Sequence, residues 1–209
     1  MMNSKYYKLS EFFIIFILVP ISFALNYSPW IKLSIGVLGF IYVIYLLLKI
    51  EKLSFKVSTS IRWKRFWKET LIKLSVIIVL TTLFVWITNK EILFNVLLNK
   101  PKLWVFILFV YSIFSVYPQE LIFRTFYFQR YQTLITNTNL FIFINAVVFM
   151  LAHIFFRKTL VLILTFLGGL LFALTYKKTK STLLVSIEHA LYGSWLFTLG
   201  MGDMLGFPK

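Results

Sequence analysis

The sequence of 209 residues contains no cysteine, which excludes disulfide bonds and thiolate metal ligands. Charged side chains are also scarce, at 14% of the chain, whereas a soluble domain is usually about one quarter charged. Seven acidic residues stand against 22 lysines and arginines, and there are only two histidines. Any site that depends on carboxylate or imidazole chemistry must therefore use a very short set of residues.

Apolar side chains are what the chain has in abundance, with 60% hydrophobic and 20% aromatic residues. This composition is typical of a polytopic membrane protein, and the length favours one integrated domain. The apolar runs lack period-two alternation and come close to the roughly 20 residues that a helix needs to cross a bilayer core. We therefore expect an all-α bundle of about seven membrane helices, with spans near residues 12–25, 30–50, 71–88, 103–131, 140–156, 160–176 and 183–199.

Two features of these spans predict local geometry. The stretch 103–131 is long for a single pass and contains Pro118, which predicts a helix start or a kink there because proline lacks the amide that an internal turn requires. The pair Gly168 and Gly169 predicts close packing between helices, since small residues let backbones approach.

The formal net charge is +15, and the lysines and arginines mostly flank the apolar runs. This distribution indicates contact with anionic membrane lipids and argues against nucleic acid as a partner. Placing the N-terminus in the cytoplasm puts most basic residues on the cytoplasmic side, so we expect a multi-pass protein of the cell membrane. In the polar loop 50–73, Trp63, Phe66 and Trp67 lie among basic residues and predict an interfacial helix on the membrane surface.

Ionisable side chains inside apolar stretches are costly and point to function by default. Here both histidines, His153 and His189, and two of the seven acidic residues, Glu120 and Glu188, lie inside such stretches, and Arg124 follows Glu120 by four residues. A carboxylate shielded from bulk water is a candidate general base, and a histidine can orient water, donate to an oxyanion or bind a metal. This chemistry suits hydrolysis of a peptide bond by activated water, and it equally suits a proton relay in a transporter.

Structural roles are open for the same residues. Glu120 and Arg124 are four residues apart, so they can form an ion pair on one helix face. A single histidine in a membrane helix, such as His153, is usually a structural hydrogen-bonding residue. Two histidines and a glutamate can also supply three zinc ligands.

Three short motifs in this region carry a family resemblance. QELIFR at residues 119–124 is similar to a motif of two glutamates, three residues and an arginine. FMLAH at residues 149–153 matches phenylalanine, three residues and histidine, and HALYG at residues 189–193 resembles histidine, three residues and usually asparagine. In this order within apolar helices they resemble the CPBP intramembrane proteases, which include the type II CAAX prenyl endopeptidases and bacterial bacteriocin-processing and immunity (Abi) homologues. The resemblance covers about residues 117–197.

The resemblance implies an all-helical membrane fold with a site recessed in the bilayer, where a peptide or membrane-protein substrate is cleaved. It implies that residues 1–100 are N-terminal membrane helices and that residues 103–199 form the catalytic core of a single integrated domain. The residues to which it gives catalytic roles are Glu120, Arg124, His153 and His189. Those expected to support them are Gln119, Phe149 and Glu188, of which Glu188 is expected to orient a histidine.

Family members are described both as metalloproteases and as glutamate-based proteases. The first class implies zinc held by Glu120, His153 and His189, and the second implies no cofactor. In either case we expect these three side chains to converge within about one water molecule of each other.

Two positions depart from the family motifs. Gln119 stands where the first glutamate is usual, and a neutral amide cannot act as a general base. In an active protease Glu120 must therefore activate the water, with Gln119 as a candidate donor to the oxyanion. Gly193 stands at the asparagine position, which removes an oxyanion donor. These departures keep two alternatives to an active protease open: a non-catalytic membrane scaffold or bacteriocin-immunity protein, and a proton-coupled transporter.

Overall fold

The computed structural model describes residues 2–53 and 62–205, and within these ranges it contains helices and turns but no strand. Six helical segments are long and apolar enough to cross a membrane, by length and composition. The helices are α1 (Lys5–Phe23), α2 (Pro29–Ile50), α3 (Trp63–Thr88), α4 (Asn95–Asn99), α5 (Pro101–Tyr131), α6 (Thr138–Leu151), α7 (Thr159–Thr179) and α8 (Thr182–Leu199). The predicted all-α membrane architecture is confirmed, and the chain is a multi-pass membrane protein.

The six segments are α1, α2, α3, α5, α7 and the span Thr138–Phe156, which joins α6 to the short 3-10 turn Ile154–Phe156. The seventh predicted span also forms a helix, α8, but it is not among the six. Glu188 and His189 interrupt its apolar sequence, and His189 is one of the residues to which the resemblance gives a catalytic role.

The helix α5 runs without a break through Pro118, so the predicted helix start at this residue is wrong. Its 31 residues span about 45 Å at 1.5 Å per residue, which exceeds a ~30 Å bilayer core. Wide π turns at Tyr111–Val116 and Leu121–Phe126 flank the proline on either side. Such turns shift the backbone hydrogen-bond pattern, which lets the helix continue past a residue that lacks an amide hydrogen.

The segment that was expected to be a separate interfacial helix is different in the structure. Trp63 begins α3, and the helix continues from there to Thr88, so Phe66 and Trp67 lie in the first turns of a long apolar helix. Residues 54–61 of the predicted loop lie outside the described residues.

By packing, the chain divides into two compact units. The first unit comprises Met1–Val57 and Gln119–Lys180, and the second comprises Ser58–Pro118 and Ser181–Lys209. Each unit thus combines an N-terminal and a C-terminal part of the chain. The functional division into residues 1–100 and 103–199 stays a prediction.

In the first unit, α6 and α7 pack closely against each other. A Cβ atom built on Gly169 would lie 2.9 Å from the Cα atom of Ala146, so only glycine allows this approach. The predicted close packing is therefore observed at Gly169, whereas the neighbouring Gly168 lies against Phe172 of its own helix.

A buried polar network joins three helices of the first unit. Arg130 on α5 is fully buried, and its Nε atom lies 2.8 Å from Oε1 of Glu11 on α1. Its Nη1 atom lies 2.8 Å from Oε1 of Glu51, just after α2. Tyr131 and Tyr42 donate further hydrogen bonds to the Glu11 carboxylate, at 2.8 and 2.7 Å. The two carboxylates together compensate the buried guanidinium and fix α1 and α2 against α5.

In the second unit, α8 packs against α3 and α5. The indole of Trp195 donates to Thr81 on α3 at 3.0 Å, and the indole of Trp104 on α5 donates to Thr198 at 2.9 Å. A core of Ile107, Tyr111, Val116 and Phe197 lies between α5 and α8. These contacts hold the His189 face of α8 in a fixed position relative to the first part of α5.

Candidate functional site

The carboxylate and the guanidinium of the first motif are both fully buried on α5. Glu120 and Arg124 are 0% exposed, and Nε of Arg124 lies 3.4 Å from Oε2 of Glu120. Arg124 falls in the π turn that follows Glu120. Because π turns occur frequently at functional sites, this local geometry agrees with the role that the motif predicts.

The surroundings of Arg124 fix its orientation. Its guanidinium carbon lies 4.7 Å from the ring centroid of Phe149 and 5.8 Å from that of Phe172, which allows cation–π attraction to both. Nη1 donates to the carbonyl of Phe123 at 3.2 Å, and Nη2 donates to that of Gly169 at 3.5 Å. Contacts from α5, α6 and α7 therefore hold the group that pairs with Glu120.

The histidine of the second motif lies in the turn after α6 and is partly buried. Its Nδ1 atom is 2.8 Å from the carbonyl oxygen of Phe149. A carbonyl only accepts, so Nδ1 is the protonated nitrogen of His153, and in the neutral ring Nε2 carries the lone pair. The hydrogen bond is structural, as one interpretation of the sequence held, yet it also sets the tautomer that a catalytic or metal-binding imidazole needs.

Phe149 links the two motifs in space. Its ring lies against the guanidinium of Arg124 on one side, and its centroid is 4.9 Å from that of the His153 ring. The structure thus brings together Glu120, Arg124, Phe149 and His153 within the first unit. The phenylalanine of the second motif acts as the spacer between the ion pair and the imidazole.

A buried asparagine belongs to the same cluster but was not predicted from the sequence. Asn145 is fully buried on α6, and its Nδ2 atom donates to the carbonyl of Phe123 at 2.6 Å, the same carbonyl that Arg124 contacts. Its Oδ1 atom is buried without a hydrogen-bond partner. Asn145, Phe149 and His153 follow each other at intervals of four, a spacing that places residues on one helix face and could have identified the asparagine.

The third motif lies on α8 in the second unit. His189 is buried, and its ring meets that of Tyr111 at a centroid distance of 6.0 Å and an interplanar angle of 83°. Glu120 and His153 belong to the first unit, so the expected convergence of Glu120, His153 and His189 stays a prediction.

Glu188 has partners other than a histidine. Its Oε1 atom lies 2.6 Å from Nζ of Lys73 on α3, and it accepts a hydrogen bond from Tyr192 at 2.8 Å. In the structure this carboxylate is engaged by a lysine 115 positions earlier in the chain, and the expectation that Glu188 orients a histidine stays a prediction. No local pattern in the sequence connects the two residues.

The two departures from the family motifs have distinct surroundings. Gln119 is half-buried on α5 directly before Glu120. At Gly193, a Cβ atom would lie 2.6 Å from Cε1 of Tyr111 and would overlap the hydroxyl group of the same tyrosine. The space that a larger residue at position 193 would need is thus filled by a side chain from α5.

Among the residues that the structure describes, no group of three or more histidine, aspartate or glutamate side chains is placed to hold a metal ion. Because Glu120 and His153 lie in the first unit and His189 in the second, the zinc site expected from these three residues stays a prediction.

Comparison with known proteins gives one match. Residues 101–195 match the model of the family described as type II CAAX prenyl endopeptidase Rce1-like. No curated protein and no solved structure matches the chain. The matched residues include all three motifs, together with all of α5 and most of α8. Residues 101–195 thus match a Rce1-like type II CAAX prenyl endopeptidase domain, and the resemblance that the motifs predict is confirmed over this part of the chain.

Proposed function

We propose that this protein is an intramembrane endopeptidase that hydrolyses a peptide bond with water activated by Glu120. One observation supports this proposal above the others. A fully buried carboxylate in a membrane helix is held by an equally buried arginine, within a domain of the CAAX protease family. Buried ionisable groups in membrane helices are expensive, which favours a function for them.

In the proposed reaction, Glu120 accepts a proton from a water molecule while the water oxygen attacks the carbonyl carbon of the substrate. The tetrahedral intermediate then loses its C–N bond, and the proton passes from Glu120 to the departing nitrogen. A carboxylic acid and an amine are released, and Glu120 returns to its starting state. Gln119 is neutral and takes no part in these proton transfers.

Arg124 acts in this reaction through Glu120. The guanidinium supplies the counter-charge that a buried carboxylate requires, and four contacts from three helices keep it in place. Because Phe149 and Gly169 belong to α6 and α7, movement of either helix displaces the arginine and with it the general base. Arg124 is therefore a positioning residue.

His153 has a role that follows from its tautomer. With Nδ1 donating to Phe149, the neutral ring accepts a hydrogen bond at Nε2. The imidazole is therefore suited to holding the attacking water. Donation to an oxyanion from Nε2 requires the imidazolium form. The motif assigns His189 to the same reaction, and this assignment is part of the proposal.

The substrate that we propose is a peptide or a membrane protein that reaches the buried site from the bilayer. The test uses purified protein in liposomes with a farnesylated CAAX peptide and the same peptide without its lipid. We expect cleavage of at least one of the two, measured by mass spectrometry of the products. Cleavage of the lipidated peptide alone assigns prenyl specificity, and equal cleavage of both assigns a general peptidase.

The variants Glu120→Gln and His153→Ala show whether the cleavage is due to this protein or to a contaminating protease. Removing the general base is expected to lower kcat about 10²–10⁴-fold, the usual contribution of general base catalysis. Glu91→Gln is the matched control, because Glu91 is an exposed carboxylate in the turn Lys90–Ile92. Cleavage that survives both Glu120→Gln and His153→Ala at the wild-type rate contradicts the proposal, and a zinc chelator that abolishes cleavage assigns the metalloprotease class instead.

A second function is favoured by the motif departures. With Gln119 and Gly193 in place of a carboxylate and an amide, the chain fits a non-catalytic scaffold or immunity protein in which the pair Glu120–Arg124 is structural. In that case no peptide is cleaved, and Glu120→Gln lowers stability alone. Proton-coupled transport predicts a third result, which is ion flux that depends on Glu120 in the same liposomes.

We further propose that the protein lies in the cell membrane with its N-terminus in the cytoplasm, as the distribution of lysines and arginines favours. The absence of cysteine makes the test simple, because each introduced cysteine is the only thiol in the chain. Asn99→Cys is expected to react with a membrane-impermeant maleimide added to intact cells, and Thr133→Cys is expected to react only after lysis. The opposite pattern reverses the topology.

A further inference from the structure

The π turn Leu121–Phe126 of α5 takes one backbone carbonyl away from its α-helical donor. In an α-helix the amide of Tyr127 donates to the carbonyl of Phe123, four residues earlier. In the structure this amide donates to the carbonyls of Ile122 and Arg124 instead. Because Phe123 is buried inside the first unit, its carbonyl needs a donor from another group.

Asn145 on α6 supplies such a donor. Its side chain is fully buried, and its Nδ2 atom donates to the carbonyl of Phe123 at 2.6 Å. Nη1 of Arg124 donates to the same oxygen at the longer distance of 3.2 Å. The closer of the two side-chain donors thus comes from a different helix, and it connects the π turn of α5 to α6.

The orientation of the asparagine follows from this bond. A carbonyl only accepts, so the NH2 group of Asn145 faces Phe123 and the Oδ1 atom is turned away from it. Oδ1 is buried and has no hydrogen-bond partner among the residues that the structure describes, which is unfavourable. An apolar residue, like the buried neighbours Ala146 and Val148, would fill the position without this cost. The NH2 donor therefore explains the asparagine better than packing does.

The turn that Asn145 contacts also carries the arginine of the first motif. Glu120 directly precedes the π turn and Arg124 is its fourth residue, and their Oε2 and Nε atoms are 3.4 Å apart. The rotation between the two residues along α5 depends on whether the backbone bonds follow the i→i+5 or the i→i+4 pattern. Return of the Tyr127 amide to Phe123 would favour the second pattern and would displace Arg124 relative to Glu120.

We propose that Asn145 is a positioning residue for the general base. Its amide stabilises the π turn through the Phe123 carbonyl and thereby keeps Arg124 beside Glu120. The inference rests on the proposed peptidase function, and all four residues belong to the first unit. The experiments below test the hydrogen bond and its effect on the reaction separately.

The hydrogen bond is tested without any activity. The dipeptide Phe-Arg occurs twice in the chain, at residues 123–124 and 156–157. Labelling phenylalanine with ¹³C at the carbonyl and arginine with ¹⁵N therefore gives two correlated NMR signals, of which the second is an internal reference. We expect Asn145→Leu to shift the Phe123 signal and to leave the Phe156 signal in place. An unchanged Phe123 signal contradicts the proposal.

The kinetic test uses the same variant. Asn145→Leu keeps a similar volume and removes the donor, and we expect kcat to fall about 10²-fold, the usual effect of a small displacement of a catalytic group. KM is expected to be nearly unchanged, because Asn145 acts through Arg124 and not on the substrate. Val148→Ala is the matched control on α6, since it leaves a cavity at a buried apolar position, and it is expected to lower the melting temperature but to retain the wild-type kcat.

A pair of smaller side chains tests the donor itself. Asn145→Ala and Asn145→Ser leave similar cavities, but the serine hydroxyl can donate to the Phe123 carbonyl through a water molecule in the space left by the amide. We expect kcat of Asn145→Ser to exceed that of Asn145→Ala by at least about tenfold, which corresponds to about one pKa-sized step in transition-state stabilisation. Equal kcat values in the two variants overturn the proposal.

The Glu120→Gln background shows whether Asn145 acts through the general base. There we expect Asn145→Leu to have little further effect on the residual rate, and the same fold-loss in both backgrounds contradicts the proposal. If wild type cleaves, Glu120→Gln does not, and Asn145→Leu cleaves as fast as wild type, the role of Asn145 is wrong and the peptidase function stands. If wild type cleaves none of the peptides, the peptidase function fails, and the Phe123 carbonyl signal still decides whether Asn145 binds the turn.

Discussion

Glu120 and Arg124 form an ion pair inside the first unit, with Nε and Oε2 3.4 Å apart and neither side chain exposed. An ion pair in such surroundings gives little net stability, because the loss of hydration of both charges offsets their attraction. Removing one partner is a different matter, since the other is left as an uncompensated buried charge. The pair is therefore sensitive to single changes and tolerant of a double neutral replacement.

The first prediction follows from this asymmetry. Arg124→Met is expected to lower the free energy of unfolding by about 3–5 kcal/mol, because it leaves the Glu120 carboxylate without its counter-charge. The double variant with Glu120→Gln is expected to lose much less than the sum of the two single variants. Unfolding in mixed detergent micelles measures all three values, and strict additivity contradicts the prediction.

The exposed pair Arg65–Glu69 is the matched control. It is also an i, i+4 pair, at 2.8 Å, but its side chains are 62% and 31% exposed. Arg65→Met is expected to change the free energy of unfolding by no more than about 1 kcal/mol, as is usual for surface pairs. If Arg65→Met and Arg124→Met lower the free energy of unfolding by equal amounts, burial of the ion pair is not the cause of the loss in Arg124→Met.

The second prediction concerns the network around Arg130. Glu11→Gln removes a charge that Arg130 contacts at 2.8 Å and that Tyr131 and Tyr42 also bind. We expect a loss of about 3–5 kcal/mol, since Glu51 alone is left to balance a fully buried guanidinium. Calorimetric or detergent unfolding checks the value, and a loss under about 1 kcal/mol shows that Arg130 is hydrated or paired elsewhere.

The third prediction uses Glu188, whose Oε1 atom accepts hydrogen bonds from Lys73 and Tyr192. Tyr192→Phe is expected to cost about 1.5–3 kcal/mol, the range for a hydrogen bond to a charged group. Lys73→Met is expected to cost more, because it removes a cation that is paired with a fully buried carboxylate. Lys68→Met is the control, because Lys68 is exposed, and this variant is expected to leave the free energy of unfolding unchanged.

The sequence predicts the membrane helices and the motif residues better than it predicts their partners. Composition and run length suffice for the helices, because a bilayer leaves few alternatives for backbone hydrogen bonding. The pair Glu120–Arg124 is local and follows from helical spacing. Lys73 pairs with Glu188 across 115 positions, and the helical periodicity of the sequence cannot predict a contact between such distant residues.

Proline and glycine show a related difference. A proline in a helix predicts a break, yet α5 continues through Pro118 because wide turns lie on both sides of it. From the sequence, Gly193 is interpreted as the loss of a hydrogen-bonding side chain. In the structure, the absence of a side chain at this position lets the Tyr111 ring pack against the helix. The effect of a proline or a glycine in a helix depends on which residues pack around it, and a single sequence does not show which residues these are.

The last prediction compares three glycines, each in a helix of the first unit. At Gly169 a Cβ atom would lie 2.9 Å from the Cα atom of Ala146, and a backbone atom of a packed helix cannot move aside easily. At Gly168 the nearest atom is Cε2 of Phe172 at 3.1 Å, which belongs to a side chain, and at Gly39 nothing lies within 4 Å. Among the three alanine variants, Gly39→Ala is therefore expected to be the most stable, Gly168→Ala to be intermediate and Gly169→Ala to be the least stable.

Magnitudes make the comparison sharp. Gly39→Ala is expected to raise the free energy of unfolding by about 0.5–1 kcal/mol, because alanine loses less backbone entropy than glycine in a helix. Gly169→Ala gains the same entropy term but is expected to lower stability by about 1–3 kcal/mol through overpacking against α6. Since Gly169 also provides a carbonyl to Arg124, the variant should lose peptidase activity along with stability. Retained stability in Gly169→Ala would show that α6 and α7 are not in backbone contact at this point.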